Sequence, residues 1–153
     1  MAEPARQPVA DEEVVEVRSE KFGAYQVPVE RILHFPEGLV GFPAARRFAL
    51  LESARPGSLF HFLLCVDLPE LGFVVCDPAT FWPGYVADLP RPADAAVLVL
   101  VTVPADPKQM TANLMAPLVL DSRVRQGVQL VLDTGRYSTR HPILPPASPA
   151  PTP

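Results

Sequence analysis

Three side chains of this sequence could hold a metal or a reacting group together. His61, Cys65 and Asp67 fall at odd positions of one apolar stretch. On a strand, where side chains alternate with period two, they share a face. Cys76 and Asp77 sit in the next apolar stretch, across an expected hairpin. Imidazole, thiolate and carboxylate are the donors of a zinc or iron site, so one reading is a small ligand-binding or metal-assisted β-barrel enzyme. Against it, structural zinc prefers C-x2–4-C pairs, which this sequence lacks, and a free Cys commonly packs as a small hydrophobe. His34 between Leu33 and Phe35, and His141 before Pro142, read as a packed or turn residue and a loop residue rather than general bases.

Other chemistries leave no trace in the sequence. There is no G-x-S-x-G elbow to activate a serine, no G-x-x-x-x-G-K-[ST] phosphate loop and no G-x-G-x-x-G. Phe60, Phe62, Phe73, Phe81, Trp82 and Tyr85 could stack bases, but no basic residues are interleaved with them. A stacking platform works only beside an electropositive groove, so these rings are assigned to core and rim. The chain carries a net charge of -4 and no basic run, which argues against direct nucleic-acid contact.

The charge is uneven. Residues 62–120 hold six acids (Asp67, Glu70, Asp77, Asp88, Asp94 and Asp106) against two bases. If they cluster, they form a face for a basic protein. Otherwise they are a solvated surface.

The elements that must position these groups are mostly strands. Twenty prolines among 153 residues exclude a helical bundle, because proline breaks helix interiors. Strands are expected over 25–33 (an edge, given Pro28), 48–51, 59–66, 71–76, 97–103, 117–120 and 128–132, with 14–17 opening an apolar stretch. Hairpin connections are expected at 67–70 and 121–127, and short helices at 43–47 and around 107–114. The fold class is therefore all-β, a small antiparallel pseudo-barrel with one or two short helices.

The ends differ from the rest. Residues 1–12 are polar and acidic, and 145–153 contain five prolines, so both are expected to be disordered around a domain spanning 13–144. The longest apolar run, 95–103, is far short of the ~20 residues that span a bilayer. With no apolar signal region near the start, a cytoplasmic location without membrane contact is expected. Two cysteines make at most one bridge, so no disulfide framework exists.

One segment is specific. Phe35, Pro36, Glu37, Gly38, Gly41 and Phe42 put two glycines and two prolines, counting Pro43, into nine residues, an unusual backbone path whose ends the phenylalanines are expected to anchor. Gly38 and Gly41 are expected to hold dihedrals poor for other residues. The full stretch FPEGLVGFPAARRFALL resembles the opening signature of the FliW flagellar assembly factor family. The resemblance runs on through LGFVVCDP at 71–78, Phe81 and Tyr85, LVTV at 100–103, TANLMAP at 111–117, GVQLVL at 127–132, Tyr137 and His141-Pro142. The chain departs from it at Leu64-Cys65, where relatives tend to carry Gln-Ser, and at Met115, where they tend to carry Gln.

The resemblance implies a binding protein and not an enzyme, with no cofactor or metal. It implies two protein partners: the basic translational repressor CsrA, which silences flagellin mRNA, and newly made flagellin. The chain itself is expected to be a monomer. Asp67, Glu70 and Asp94 are the acidic candidates for meeting CsrA, and Phe81, Trp82 and Tyr85 the apolar ones. Because the composition of 1–12 and 145–153 cannot offset roughly 1–2 kcal/mol per residue of ordering entropy, a chain trimmed to 13–144 should melt within a few degrees of full length. Loss of cooperative unfolding on trimming would contradict this.

Overall fold

The computed structural model describes residues 13–143 apart from 53–57, 88 and 93. The segments expected to be disordered, 1–12 and 145–153, lie outside the described residues, as does Asp88. Two sheets form. The smaller is a hairpin of β1 (Val14–Ser19) and β2 (Gly23–Pro28), in register from Val14 opposite Pro28 to Ser19 opposite Gly23.

The larger sheet contains β3 (Ile32–His34), β4 (Arg47–Glu52), β5 (Phe60–Cys65), β6 (Gly72–Cys76), β7 (Ala96–Thr102), β8 (Thr111–Ala112), β9 (Leu118–Asp121), β10 (Gln126–Gln129) and β11 (His141–Pro142). Seven of these close into a ring, in the order β7-β6-β5-β4-β3-β10-β9 and back to β7. On β7, Val99–Val101 pair with β6, while Ala96–Leu98 pair with β9 and the end of the strand with β8. The expected all-β pseudo-barrel is what forms. Its pairings are antiparallel except one: β3 meets β10 in parallel, at the single pair His34 and Gln126.

Alternation explains the composition of the strands. Phe48, Leu63, Cys65, Val75, Leu98, Leu118 and Leu120 belong to one cluster, the barrel core. Their neighbours Ala49 and Leu64 pack with Ile32 beneath Val17 and Val27 of the hairpin, where the Phe22 and Phe62 rings lie 4.6 Å apart. Val97, Val99 and Val101 pack with Tyr85 of the short helix α1 (Pro83–Ala87) and with Ile143 near the chain's end. A strand covered on both faces reads as a continuous apolar run. That is why 97–103 is almost continuously apolar.

Several expectations fail for local reasons. The stretch 25–33 is not one strand: after Pro28 a 3-10 turn, Val29–Arg31, swings the chain from the hairpin into the barrel. In place of a helix at 43–47, residues 43–44 form a turn, 45–46 are irregular and Arg47 already belongs to β4, with Ala45 buried and its N–H bonded to the Phe42 carbonyl. Of 107–114 only Pro107–Gln109 is helical, a 3-10 turn in which the Asp106 carboxylate accepts from Lys108 N–H at 3.1 Å. The next residues enter β8. The helix that does form, α1, has five residues and is too short to show a 3.6-residue period.

The seam that closes the ring packs around Phe35. Phe35, fully buried just beyond β3, meets Phe48 edge-on with centroids 5.2 Å apart. Its ring also lies flush on the Gly127 backbone: a β-carbon there would stand 2.5 Å from Cζ of Phe35 and 2.8 Å from a Leu120 methyl. Gly127→Ala should therefore cost about 1–3 kcal/mol, the usual range for overpacking. Combined with Phe35→Leu the two costs should be clearly less than additive. Urea denaturation of the single and double variants checks this, and strict additivity would contradict the contact.

Candidate partner-binding site

The specific segment connects β3 to β4 and is fixed at every turn. Phe35 N–H donates to the Arg46 carbonyl at 2.7 Å, closing the base, and Gly38 N–H donates back to the Phe35 carbonyl at 2.8 Å. Leu39 and Phe42 exchange backbone hydrogen bonds at 3.1 and 2.7 Å around Val40 and Gly41. Both glycines have positive φ, +70° at Gly38 and +84° at Gly41, as expected. At Gly38 space also forbids a side chain, since a β-carbon would lie 2.5 Å from the Phe42 carbonyl oxygen. Gln129 of β10 holds the tip: its Oε1 accepts from Val40 N–H at 2.7 Å and its Nε2 donates to the Ala116 carbonyl at 3.1 Å.

The anchors are not both phenylalanines. Phe35 is buried, but Phe42 is 41% exposed, and the second anchor is Leu39, which joins the barrel core. Phe42 pairs with Leu39 in an isolated antiparallel bridge, and of the two only Leu39 is taken into the core. Val40 is 59% exposed beside it. The loop presents two apolar side chains to solvent on a rigid backbone.

The metal reading does not gather its residues. Cys65 is fully buried in the barrel core, where desolvation pushes its thiol up and weakens it as a ligand. Cys76 is likewise buried, and burial lifts its thiol to about 12. His61 Nδ1 is buried without a hydrogen-bond partner. Among the described residues no three His, Cys, Asp or Glu side chains are placed to hold a metal ion.

Asp67 has different work. Its Oδ1 accepts from the Arg47 guanidinium at 2.9 and 3.0 Å, and its Oδ2 from Arg47 N–H at 3.0 Å and Arg46 N–H at 3.3 Å. It thus clasps the β5–β6 turn to the base of the Phe35–Phe42 loop. Other members of the acidic stretch are also engaged. Asp77 caps the 3-10 turn Pro78–Thr80 through Ala79 N–H at 2.9 Å, Asp106 caps its own turn, and Asp94 lies 3.9 Å from Arg123, which also holds Asp121 at 3.3 Å. Glu70 lies in the β5–β6 turn. Asp67 and Glu70 share the β5–β6 turn, while Asp77, Asp94 and Asp106 lie in separate turns.

The aromatic candidates form a chain on the α1 side: Phe60 to Phe81 at 6.2 Å, Phe81 to Trp82 at 5.5 Å and Trp82 edge-on to His141 at 5.3 Å. Tyr85 is buried, donates to the Leu114 carbonyl at 2.6 Å and meets Tyr137 edge-on. Burial raises its phenol well above the ordinary value. Tyr85 therefore serves as a core strut, while Phe81 and Trp82 are half-buried.

Sequence reading missed a cleft of about 270 Å³ between Pro36–Gly38, Pro92 and the outer face of the β9–β10 hairpin. Its only signals were isolated valines, Val124 and Val128, in a segment read as hairpin loop and strand. The parallel contact that brings the hairpin to the loop is not written in either segment.

Asp67 gives a pH prediction. Desolvation would raise its carboxyl, but the hydrogen bonds and charge of Arg47 outweigh it and hold the group below its ordinary value. A depressed carboxyl contributes stability that is complete above its unfolded value, near 3.9, and lost as pH falls through the folded one. Because the pair is partly exposed, Asp67→Asn should cost about 1 kcal/mol at pH 7. The variant should then lose less than the parent between pH 5 and pH 3. Thermal melts across that range check it, and parallel pH profiles would contradict it.

Comparisons with known proteins agree with this architecture. The FliW protein family matches residues 16–143. Flagellar assembly factor FliW of Moorella thermoacetica is 35% identical over 138 residues, covering 83% of this chain and 87% of that protein. Its counterpart in Natranaerobius thermophilus is 36% identical over 140 residues, covering 84% and 92%. A crystal structure of the flagellar assembly factor FliW superposes with a TM-score of 0.75 at 30% identity, covering 85% of this chain and 97% of that one. With its closed ring, its rigid β3–β4 loop and a match that spans nearly all of the described residues, the chain belongs to the FliW family of flagellar assembly factors.

Proposed function

We propose that the chain works in the cytoplasm as a partner switch in flagellum assembly, binding CsrA and flagellin in turn. Flagellin occupies it while subunits accumulate, in the manner of a chaperone. Export of flagellin frees the chain to capture CsrA and lift the repression of flagellin mRNA. The observation that carries this reading is the family match across residues 16–143, which includes the whole Phe35–Phe42 segment. Physically the switch requires only that one partner weaken the other, a reciprocal coupling between two binding equilibria.

The chain's net charge of -4 suits a basic RNA-binding partner, since opposite charge raises the association rate and a negative surface disfavours RNA in the same complex. Asp67 is held by Arg47 and Asp94 lies near Arg123, so among the three acidic candidates steering falls chiefly to Glu70. The half-buried Phe81 and Trp82 remain the apolar candidates.

Purified chain should bind CsrA and flagellin separately, and saturating flagellin should weaken CsrA binding at least tenfold. CsrA association should slow as salt rises from 0.1 to 1 M, where the Debye length falls from about 10 to about 3 Å. Binding of neither protein, or simultaneous undiminished binding of both, would contradict the switch.

A further inference from the structure

We propose that the cleft between Pro36–Gly38 and the outer face of the β9–β10 hairpin is the surface that receives the basic partner. Its occupant is an amphipathic protein segment with one apolar side chain flanked by a lysine or arginine. The proposal rests on the partner-switch reading for the identity of that partner, and on the cleft's own chemistry for the place.

Register defines the outer face. Val128 pairs with Val119 and Gln126 with Asp121, while the alternate pair, Gly127 and Leu120, turns inward against Phe35. On that outer face Val119 is buried, but Val128 is 44% exposed and Val124, in the hairpin turn, is 56% exposed. Both exposed valines line the cleft. They supply apolar surface that nothing in the chain's described residues covers.

The walls are rigid. Pro36 and Pro92 have fixed φ, and Gly38 is locked between the Phe35 and Phe42 carbonyls. A preformed surface spends little of its binding energy on ordering itself. At about 270 Å³ the cleft falls below the roughly 300–1,000 Å³ of sites that enclose a drug-sized molecule. It has room for a side-chain anchor.

The ionisable side chains that line it are acidic, and arginines sit beside two of its walls: Arg91 donates to the Pro92 and Ala95 carbonyls, and Arg123 holds Asp121. Among the described residues, Glu37 and Asp121 are the ionisable ones that line the cleft. Asp121 shares its charge with Arg123, whereas Glu37 is exposed and has neither ion pair nor hydrogen bond among the described residues. An apolar slot with an unpaired carboxylate at its rim is complementary to an apolar residue beside a cation.

The test measures CsrA binding to the full chain and to three variants by titration calorimetry, at two salt concentrations. Glu37→Lys should weaken binding at least tenfold. The pair Val124→Thr and Val128→Thr, which keeps side-chain shape at exposed sites, should weaken it tenfold without altering the salt dependence. Glu16→Lys, an equal charge change on β1, should stay within twofold. Thermal melts of all variants should match the parent within a few degrees.

If the parent binds CsrA and the cleft variants bind equally well, the cleft is the wrong surface and the switch survives. If Glu16→Lys weakens binding as much as Glu37→Lys, only overall charge matters and the cleft assignment falls. Loss of flagellin binding alone overturns it as well. If the parent fails to bind CsrA at all, the partner reading and the assignment built on it are both overturned.

Discussion

Everything distinctive in this molecule depends on how the barrel closes. Six of the seven junctions in the ring are antiparallel ladders. The seventh, between β3 and β10, has one register pair. One pair cannot hold a sheet edge, and the seam is carried by packing and side-chain bonds instead. The Phe35 ring fills the space over Gly127, and Gln129 ties β10 to the loop tip. Arg125, at φ +55°, delivers its carbonyl to His34 N–H at 2.8 Å, so the hairpin turn is bent to meet β3. The same residues that close the barrel therefore fix the Phe35–Phe42 loop, and fold and candidate binding surface are one construction.

That coupling explains the division of labour within the loop. Phe35 and Leu39 go into the core, and Val40, Phe42 and Glu37 face solvent. An exposed apolar side chain usually costs little and means little. Here two sit on a backbone fixed by two positive-φ glycines and by hydrogen bonds within the loop, to Arg46 at its base and to Gln129 of β10, which is how a scaffold presents a binding loop. Asp67 clasps the other flank of the loop base through Arg46 and Arg47, so a residue that looked like a surface charge is part of the loop's support.

Much of this was legible in the residues and some was not. The strands 59–66, 71–76 and 97–103 were readable because both their faces are covered and their sequences are almost continuously apolar. The glycine conformations followed from the crowding of Gly and Pro. What failed depends on contacts distant in sequence. Phe42 and Leu39 are both apolar, and only the tertiary fold decides which one the core accepts. The parallel seam joins segments with no local signal for each other. Asp67 could be read as a ligand, a steering charge or a clasp, and the choice turns on Arg47, which the antiparallel β4–β5 pairing brings alongside. The cleft was invisible for the same reason, being made by three segments that meet only when the ring closes.

The central claim is that the β3–β10 seam and its loop belong to the cooperative core, not to a surface that opens on its own. Native-state amide hydrogen exchange tests it residue by residue. If the claim holds, His34, Phe35, Gly38 and Phe42 exchange only by global unfolding, with the same free energy as Leu63 and Val75 in the barrel. If instead these amides exchange by local opening, no better protected than the exposed turn at 122–125, the seam is a loose flap and the account is wrong.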